Sequence, residues 1–182
     1  MLSLPLLLIV WQALAMVFAN RLFPSPIAVV EQMGALALEG RLLSDLGKTL
    51  LRAGAAFAIA MVLGTALGLV VGRRPRVDRL FSAWLVVGLN LPAIVVAIVL
   101  YIWLGLTELA LVSAVVVNKL PLVIVTIREG VRSFAPEYEE LARALRFDSW
   151  RRFRLIFWPQ LLPFVLAAAR TGLSLIWKIV LV

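Results

Sequence analysis

The sequence contains neither cysteine nor histidine. Without cysteine there is no disulfide and no thiolate metal site. Without histidine the chain lacks the commonest general base and the commonest metal ligand. Acidic side chains are scarce as well, with 10 Asp and Glu against 18 Lys and Arg in 182 residues. A membrane-embedded enzyme would need a pair of buried carboxylates or a similar catalytic set, and none is visible. Charged residues of both signs make up only 15% of the chain. The net charge of +8 could suit nucleic acid. However, the basic residues cluster between apolar runs, as membrane-flanking residues do, so no nucleic-acid partner is expected.

What is present is apolar. Hydrophobic residues account for 63% of the chain, against about half in a soluble domain. They collect in uncharged runs long enough to cross a hydrocarbon core of about 30 Å, which takes about 20 helical residues. The runs predict an all-α polytopic membrane protein with about five transmembrane helices, at 4–19, 53–72, 83–106, 109–127 and 159–182. The first run has no Lys or Arg before it, which argues against a signal peptide. The third belongs to an uncharged stretch of 28 residues, 80–107, too long for one upright span. A tilt, or a break near Asn90-Leu91-Pro92, is expected, because proline removes a backbone donor. The fifth run carries Arg170 and Lys178 and ends without a polar flank, so a chain truncated at its C-terminus is expected.

Arginines orient the spans. One cluster is Arg73, Arg74, Arg76 and Arg79, and segment 128–154 holds seven more. Both would lie on the cytoplasmic side by the positive-inside rule. Residues 20–52 are then external, with an amphipathic stretch at 27–43 lying along the outer interface.

Three features invite a chemical reading. Gly47-Lys48-Thr49 looks like the end of a phosphate-binding loop, but position 42 is Leu42 and no strand precedes it. It is read as a polar turn, and the chain should bind no nucleotide itself. Gly64, Gly68 and Gly72 recur every four residues and form a smooth helical stripe, suited to close packing against another span or a second copy of the chain. Lys119 lies mid-span beside Asn118 and Pro121. An intramembrane charge is costly and usually faces a cavity or a partner. A translocation pathway and a snorkelling or structurally paired lysine are both open.

Segment 137–163 is the most informative. Residues 137–145 read as a helix with Pro136 at its start, followed by a turn at Arg146-Phe147-Asp148. Ser149 is a plausible N-cap for a second short helix through Phe157. Leu141, Ala144, Leu145, Phe153, Ile156 and Phe157 give the two helices apolar faces suited to docking.

Here the spacing resembles a known signature, the cytoplasmic "EAA" loop of binding-protein-dependent ABC importer permeases. That pattern runs Glu-Ala-Ala, three residues, Gly, nine residues, Ile, one residue, Leu-Pro. The present chain has Glu140-Leu141-Ala142, then Arg146 at the glycine position, then Ile156-Phe157-Trp158-Pro159. The spacing is kept, while Leu141, Arg146 and Trp158 depart from the pattern. A glycine at position 146 suits a tight turn, so either the turn has shifted onto Asp148, leaving Arg146 helical, or the loop has decayed; the kept spacing favours the first. Residues 127–132 and 103–108, together with Leu162-Pro163 and Trp177-Lys178, are similar to the branch serving sulfonates, taurine and nitrate. The resemblance implies the type I permease fold, as one permease domain over 1–182 with a coupling loop at 128–158. It also implies a multi-pass location in the bacterial plasma (inner) membrane. The partners it implies are a separate ABC ATPase subunit that binds ATP, a second permease subunit (as a homodimer) and an extracytoplasmic solute-binding protein. This chain would hold no cofactor and no metal. Family members usually continue through one more span. A gradient-driven secondary transporter or channel is the alternative, but it has no need of a paired-helix docking loop.

Overall fold

Apolar side chains at helical spacing, proline at first helical turns and glycine or proline at the breaks divide the chain into helices. The computed structural model describes residues 3–18, 20 and 22–180, with side chains through residue 173. Its helices are α1 (Ser3–Phe18), α2 (Pro26–Leu38), α3 (Arg41–Arg73), α4 (Pro75–Asn90), α5 (Ala93–Leu104), α6 (Glu108–Arg132), α7 (Pro136–Ala144), α8 (Ser149–Arg152) and α9 (Trp158–Val180). A π-helical turn, Phe153–Phe157, joins α8 to α9. No strand occurs among the described residues.

The chain forms two compact units, Met1–Thr49 and Leu50–Val182, with the boundary inside α3. In the first unit α1 has 16 residues, about 24 Å at about 1.5 Å per residue. The turn to α2 is held by the Trp11 indole, whose Nε1 donates to the Pro24 carbonyl at 3.1 Å. Ser25 caps α2 by accepting from the Ala28 amide, with Pro26 at the first helical position. The amphipathic stretch expected at 27–43 is interrupted, since α2 ends at Leu38 and Gly40 takes φ +70 before α3 begins. Gly47-Lys48-Thr49 lies within α3, where Lys48 pairs with Asp45 and the Thr49 hydroxyl donates to the Asp45 carbonyl. It is helix, neither turn nor phosphate loop.

Three helices are long and apolar enough to span a membrane: Arg41–Arg73, Glu108–Arg132 and the continuous helix Ser149–Leu173. The bent pair Pro75–Asn90 and Ala93–Leu104 makes a fourth candidate. The five apolar runs thus become three full-length helices, one bent pair and the shorter α1. The third run breaks where proline was expected to break it, with an angle of 98° between α4 and α5. The basic stretch 75–79 forms the start of α4, because Pro75 suits the first helical position. Arg74 alone links α3 to α4. Residues 181 and 182 of the fifth run lie outside the described residues.

The second unit is built around α6. Its buried side includes Ala110, Ala114, Val115, Val123, Ile124 and Ile127. Val123 and Ile127 pack with Leu161 and Ala168 of α9. Val115 packs with Ala53 and Ala56 of α3, and Ile124 with Val71 and Leu85. Lipid tails are as apolar as these side chains, so the contacts hold by van der Waals fit rather than by exclusion from water. Fit is tightest at glycines. A Cβ at Gly64 would lie 2.6 Å from the Val123 side chain, one at Gly68 2.9 Å from the Ile124 carbonyl, and one at Gly72 2.9 Å from Val131. The glycine stripe therefore seats α3 on α6 within one chain. Gly88 likewise receives Pro121, and Gly130 receives the Phe164 ring.

A direct consequence can be measured. Gly68→Ala forces Cβ against a backbone carbonyl and is expected to destabilise the protein by about 1–3 kcal/mol. Gly54→Ala, with open space around its Cβ, is expected to be neutral or to stabilise by up to about 1 kcal/mol. Thermal unfolding midpoints in detergent compare the two. Equal effects would remove the stripe's role in seating α3 on α6.

Candidate functional site

The candidate site is the elbow formed by α7, α8 and the π turn at the arginine-rich end of the second unit. Pro136 opens α7, and its N-cap residue Ala135 offers no side-chain cap. The exposed first turn is instead tied to α9, because the Ala135 amide donates to Gln160 Oε1 at 3.0 Å while Gln160 Nε2 donates to the Ile156 carbonyl. Glu139 is ion-paired with Arg152 and lies 3.8 Å from Arg143. Ala142 is buried. Tyr138, Leu141 and Leu145, at spacings of three and four along the helix, form an exposed stripe beside it, and Glu140 is exposed as well. Of the apolar residues expected to form docking faces, Leu141, Ala144, Leu145 and Phe153 are exposed, with Tyr138 beside them, whereas Phe157 is half-buried and Ile156 is buried, as is Ala142. Tyr138 had not been singled out, although its place three residues before Leu141 was the available signal.

The end of α7 corrects one expectation. Of the two explanations open for Arg146, a decayed loop and a turn shifted onto Asp148, the second would leave Arg146 helical. Arg146 instead takes φ +52, the only non-glycine described residue with positive φ. The Phe147 amide donates to the Ala142 carbonyl, and the Arg146 amide to the Arg143 carbonyl. This pair of bonds is a Schellman ending, whose residue after the C-cap must be left-handed. The backbone requires that angle whatever side chain is present, which accounts for the family's glycine at this position. Asp148, with φ −68, is the N-cap of α8 and accepts from the Arg151 amide at 3.1 Å. Ser149 is therefore the first residue of α8 and not its cap. The second short helix is not separate either, since it runs through the π turn into α9, with Pro159 in the first turn.

Beside this elbow is an ion cluster that sequence reasoning passed over. Asp78, in the first turn of α4, meets Arg128 at 3.2 Å and Arg132 at 2.5 Å, and Arg128 also meets Glu129 at 2.8 Å. Asp78 and Arg128 are largely buried, with side chains 14% and 16% exposed. The signal was a lone acid within an arginine-rich stretch, with Arg128 and Arg132 one helical turn apart. The cluster clamps the start of α4 to the end of α6.

In mid-helix, Lys119 is only 5% exposed and has no carboxylate within ion-pair distance among the described residues. Its neighbour Asn118 donates to the Leu91 carbonyl at 3.4 Å, where the α4–α5 break leaves that group free. Pro121 sits against Gly88 one turn on. The structure therefore brings Asn118 and Pro121 to the broken helix and buries Lys119 between them in sequence. Arg170 is exposed on α9, and the Lys178 side chain lies outside the described residues.

Long apolar helices with a broken apolar run between them place the chain in the class of polytopic integral membrane proteins. Residues 60–182 match the family of binding-protein-dependent transport system inner membrane components, and the chain belongs to that family. It is an inner-membrane, multi-helix protein. The chain is 25% identical over 97% of its length to the putative aliphatic sulfonates transport permease protein SsuC of Bacillus subtilis (strain 168), of which it covers 65%. It is 28% identical over 93% of its length to the formylaminopyrimidine transport permease protein ThiX of Halalkalibacterium halodurans, covering 68%. To the nitrate import permease protein NrtB of Synechocystis (strain PCC 6803) it is 24% identical over 96% of its length, covering 66%. The chain thus spans about two thirds of the length of these curated relatives.

Arg146→Gly relieves a strained backbone without touching the core. It is expected to raise stability by about 1 kcal/mol, read as a higher unfolding midpoint in detergent. A lower midpoint would mean that the arginine side chain contributes more than its backbone angle costs.

Proposed function

We propose that this chain is the membrane-spanning permease subunit of an ATP-driven importer for a small, anionic solute such as a sulfonate or nitrate. It works with a second permease subunit, identical to the first, with a separate ABC ATPase subunit that binds ATP, and with an extracytoplasmic solute-binding protein. The observation that carries the reading is α7. Its outer face presents Tyr138, Leu141 and Leu145, and its inner side is tied through Gln160 and Arg152 to the long helix that continues into α9. A helix so held can pass a push from a docked partner into the bundle. Segment 128–158, with Glu140, Leu141, Ala142, Arg146, Ile156 and Pro159, is the coupling region in this reading, and the arginine-rich end faces the cytoplasm.

Relatives named for sulfonate and nitrate transport support an anionic cargo. The relative named for formylaminopyrimidine supports the transport role without the charge. Lys119, with Asn118 and Pro121, is assigned to the translocation pathway. A cation there lowers the barrier to an anion in a medium of low dielectric.

Two variants test the assignment. Leu141→Asp places a charge on the docking face without disturbing buried Ala142, and it is expected to abolish co-purification with the ABC ATPase subunit proposed as its partner. Undiminished co-purification would remove α7 as the docking element. Lys119→Met is expected to slow anion uptake by roughly tenfold or more, equivalent to about 1.4 kcal/mol of lost stabilisation, while the ATPase subunit still co-purifies. Normal uptake would leave Lys119 a structural residue.

A further inference from the structure

At the inner corner of the elbow lies a cavity of about 350 Å³, lined in part by Arg73, Glu139, Ser149, Arg152, Phe153 and Phe157. We propose that this cavity binds the phosphate group of an anionic phospholipid, with the lipid's glycerol portion against the two phenylalanine rings.

The location favours a lipid. Arg73 is the last residue of α3 and Trp158 the first of α9, so both long apolar helices leave their apolar region at this level. Trp150 stacks on Phe153 at 5.9 Å, Phe153 on Phe157 at 5.7 Å, and Trp158 lies 6.2 Å from Phe153. Tryptophan beside other aromatic rings is the composition of a membrane–water interface.

The chemistry favours a phosphate. The Arg73 guanidinium lies over the Phe157 ring, 4.4 Å from its centroid. That cation–π contact holds the group at the cavity wall, and a guanidinium there can fork two N–H groups onto two phosphate oxygens. Arg73 has no acidic partner among the described residues, because Asp78, the acid nearest in sequence, is engaged by Arg128 and Arg132. Arg152 holds Glu139 through Nε and Nη2, which balances that carboxylate and leaves the cavity with a net positive charge. The Ser149 hydroxyl adds a donor that makes no hydrogen bond among the described residues. A choline or ethanolamine cation meets repulsion here, whereas a headgroup with net negative charge does not. Each interfacial arginine contributes substantially to such selection.

The test uses the full chain, reconstituted into bilayers of phosphatidylcholine and phosphatidylglycerol at four to one, extracted gently, and analysed for retained lipid by native mass spectrometry. Phosphatidylglycerol is expected to be retained well above its share of the bilayer, and retention in bulk proportion would overturn the proposal without any variant. Arg73→Gln is expected to cut the enrichment about fivefold, as the loss of one interfacial arginine does. Arg73→Lys should fall between, since an ammonium neither stacks in a plane nor forks. Arg79→Gln, on α4 and outside the cavity, should leave the enrichment unchanged. An equal loss in Arg79→Gln would assign the effect to a general basic surface and overturn the site. Inorganic phosphate at millimolar concentration should not displace the lipid, because it leaves the rings uncovered. Displacement would reassign the cavity to free phosphate and overturn the lipid reading.

Discussion

The second unit depends on how closely its helices can approach α6. In a bilayer there is no gain from hiding apolar surface from water, so packing must come from contact itself. Three glycines of α3 lie where a methyl group would collide with Val123, Ile127 or Val131. Gly88 does the same for Pro121, and on α6 itself Gly130 admits Phe164 from α9. Small residues on one partner thus meet β-branched, ring or aromatic side chains on the other at each contact. That arrangement sets the helix spacing below what larger residues would allow. It also explains how Pro121 is tolerated inside α6. The ring that deprives the helix of a donor is the knob that fills the gap at Gly88.

A second constraint governs the elbow. Helix α7 has nine residues and ends abruptly, so its last carbonyls need partners that a continuing helix would have supplied. The Schellman bonds from Arg146 and Phe147 supply them, at the cost of a left-handed arginine. The chain then restarts at once from Asp148, whose carboxylate accepts from the Arg151 amide. These two local motifs, three residues apart, reverse the chain tightly enough for Glu139 of α7 to reach Arg152 of α8. Strain at one backbone position is thus offset by a cap, a C-terminal hydrogen-bond pair and an ion pair around it.

Much of this was legible in the sequence, and the limits of legibility have physical reasons. The apolar runs are long because the bilayer is thick, and so their order could be read, whereas five expected spans became three span-length helices, one bent pair and the shorter α1. The break near Pro92 was readable because proline cannot donate. The helix beginning at Pro136 was readable from its proline and its charge pattern. Arg146 was misread because propensity favours moving the turn to an aspartate, whereas the helix end dictates which position must be left-handed. The partner of the glycine stripe was left open because a stripe shows one side of a contact only. The Asp78 cluster was missed because its members are 50 and 54 positions apart in sequence and meet only when α4 folds against α6. In the same way, the spacing of the EAA-like segment marked where a partner could dock. It did not show that Ala142 is buried and Tyr138 exposed.

The contacts also form an unbroken series from α7 to the middle of the bundle. Helix α7 is tied to α9 through Gln160, and α9 packs on α6 through Leu161, Phe164 and Ala168. One face of α6 then meets the bent helix, with Pro121 at Gly88 and Asn118 on the carbonyl of Leu91. Continuity alone does not move anything, because coupling needs an element with two arrangements whose balance both ends can bias. The break between α4 and α5 has the right character. Its angle is fixed by no side-chain cap at the start of α5, and the freed carbonyl is held by one long hydrogen bond. The far end of α4, by contrast, is clamped to α6 by the Asp78 ion cluster. In the proposed reading, a push that reaches α6 would be resisted at the clamped end of α4 and taken up at the bend, whose Leu91 carbonyl is held by Asn118, the residue beside buried Lys119.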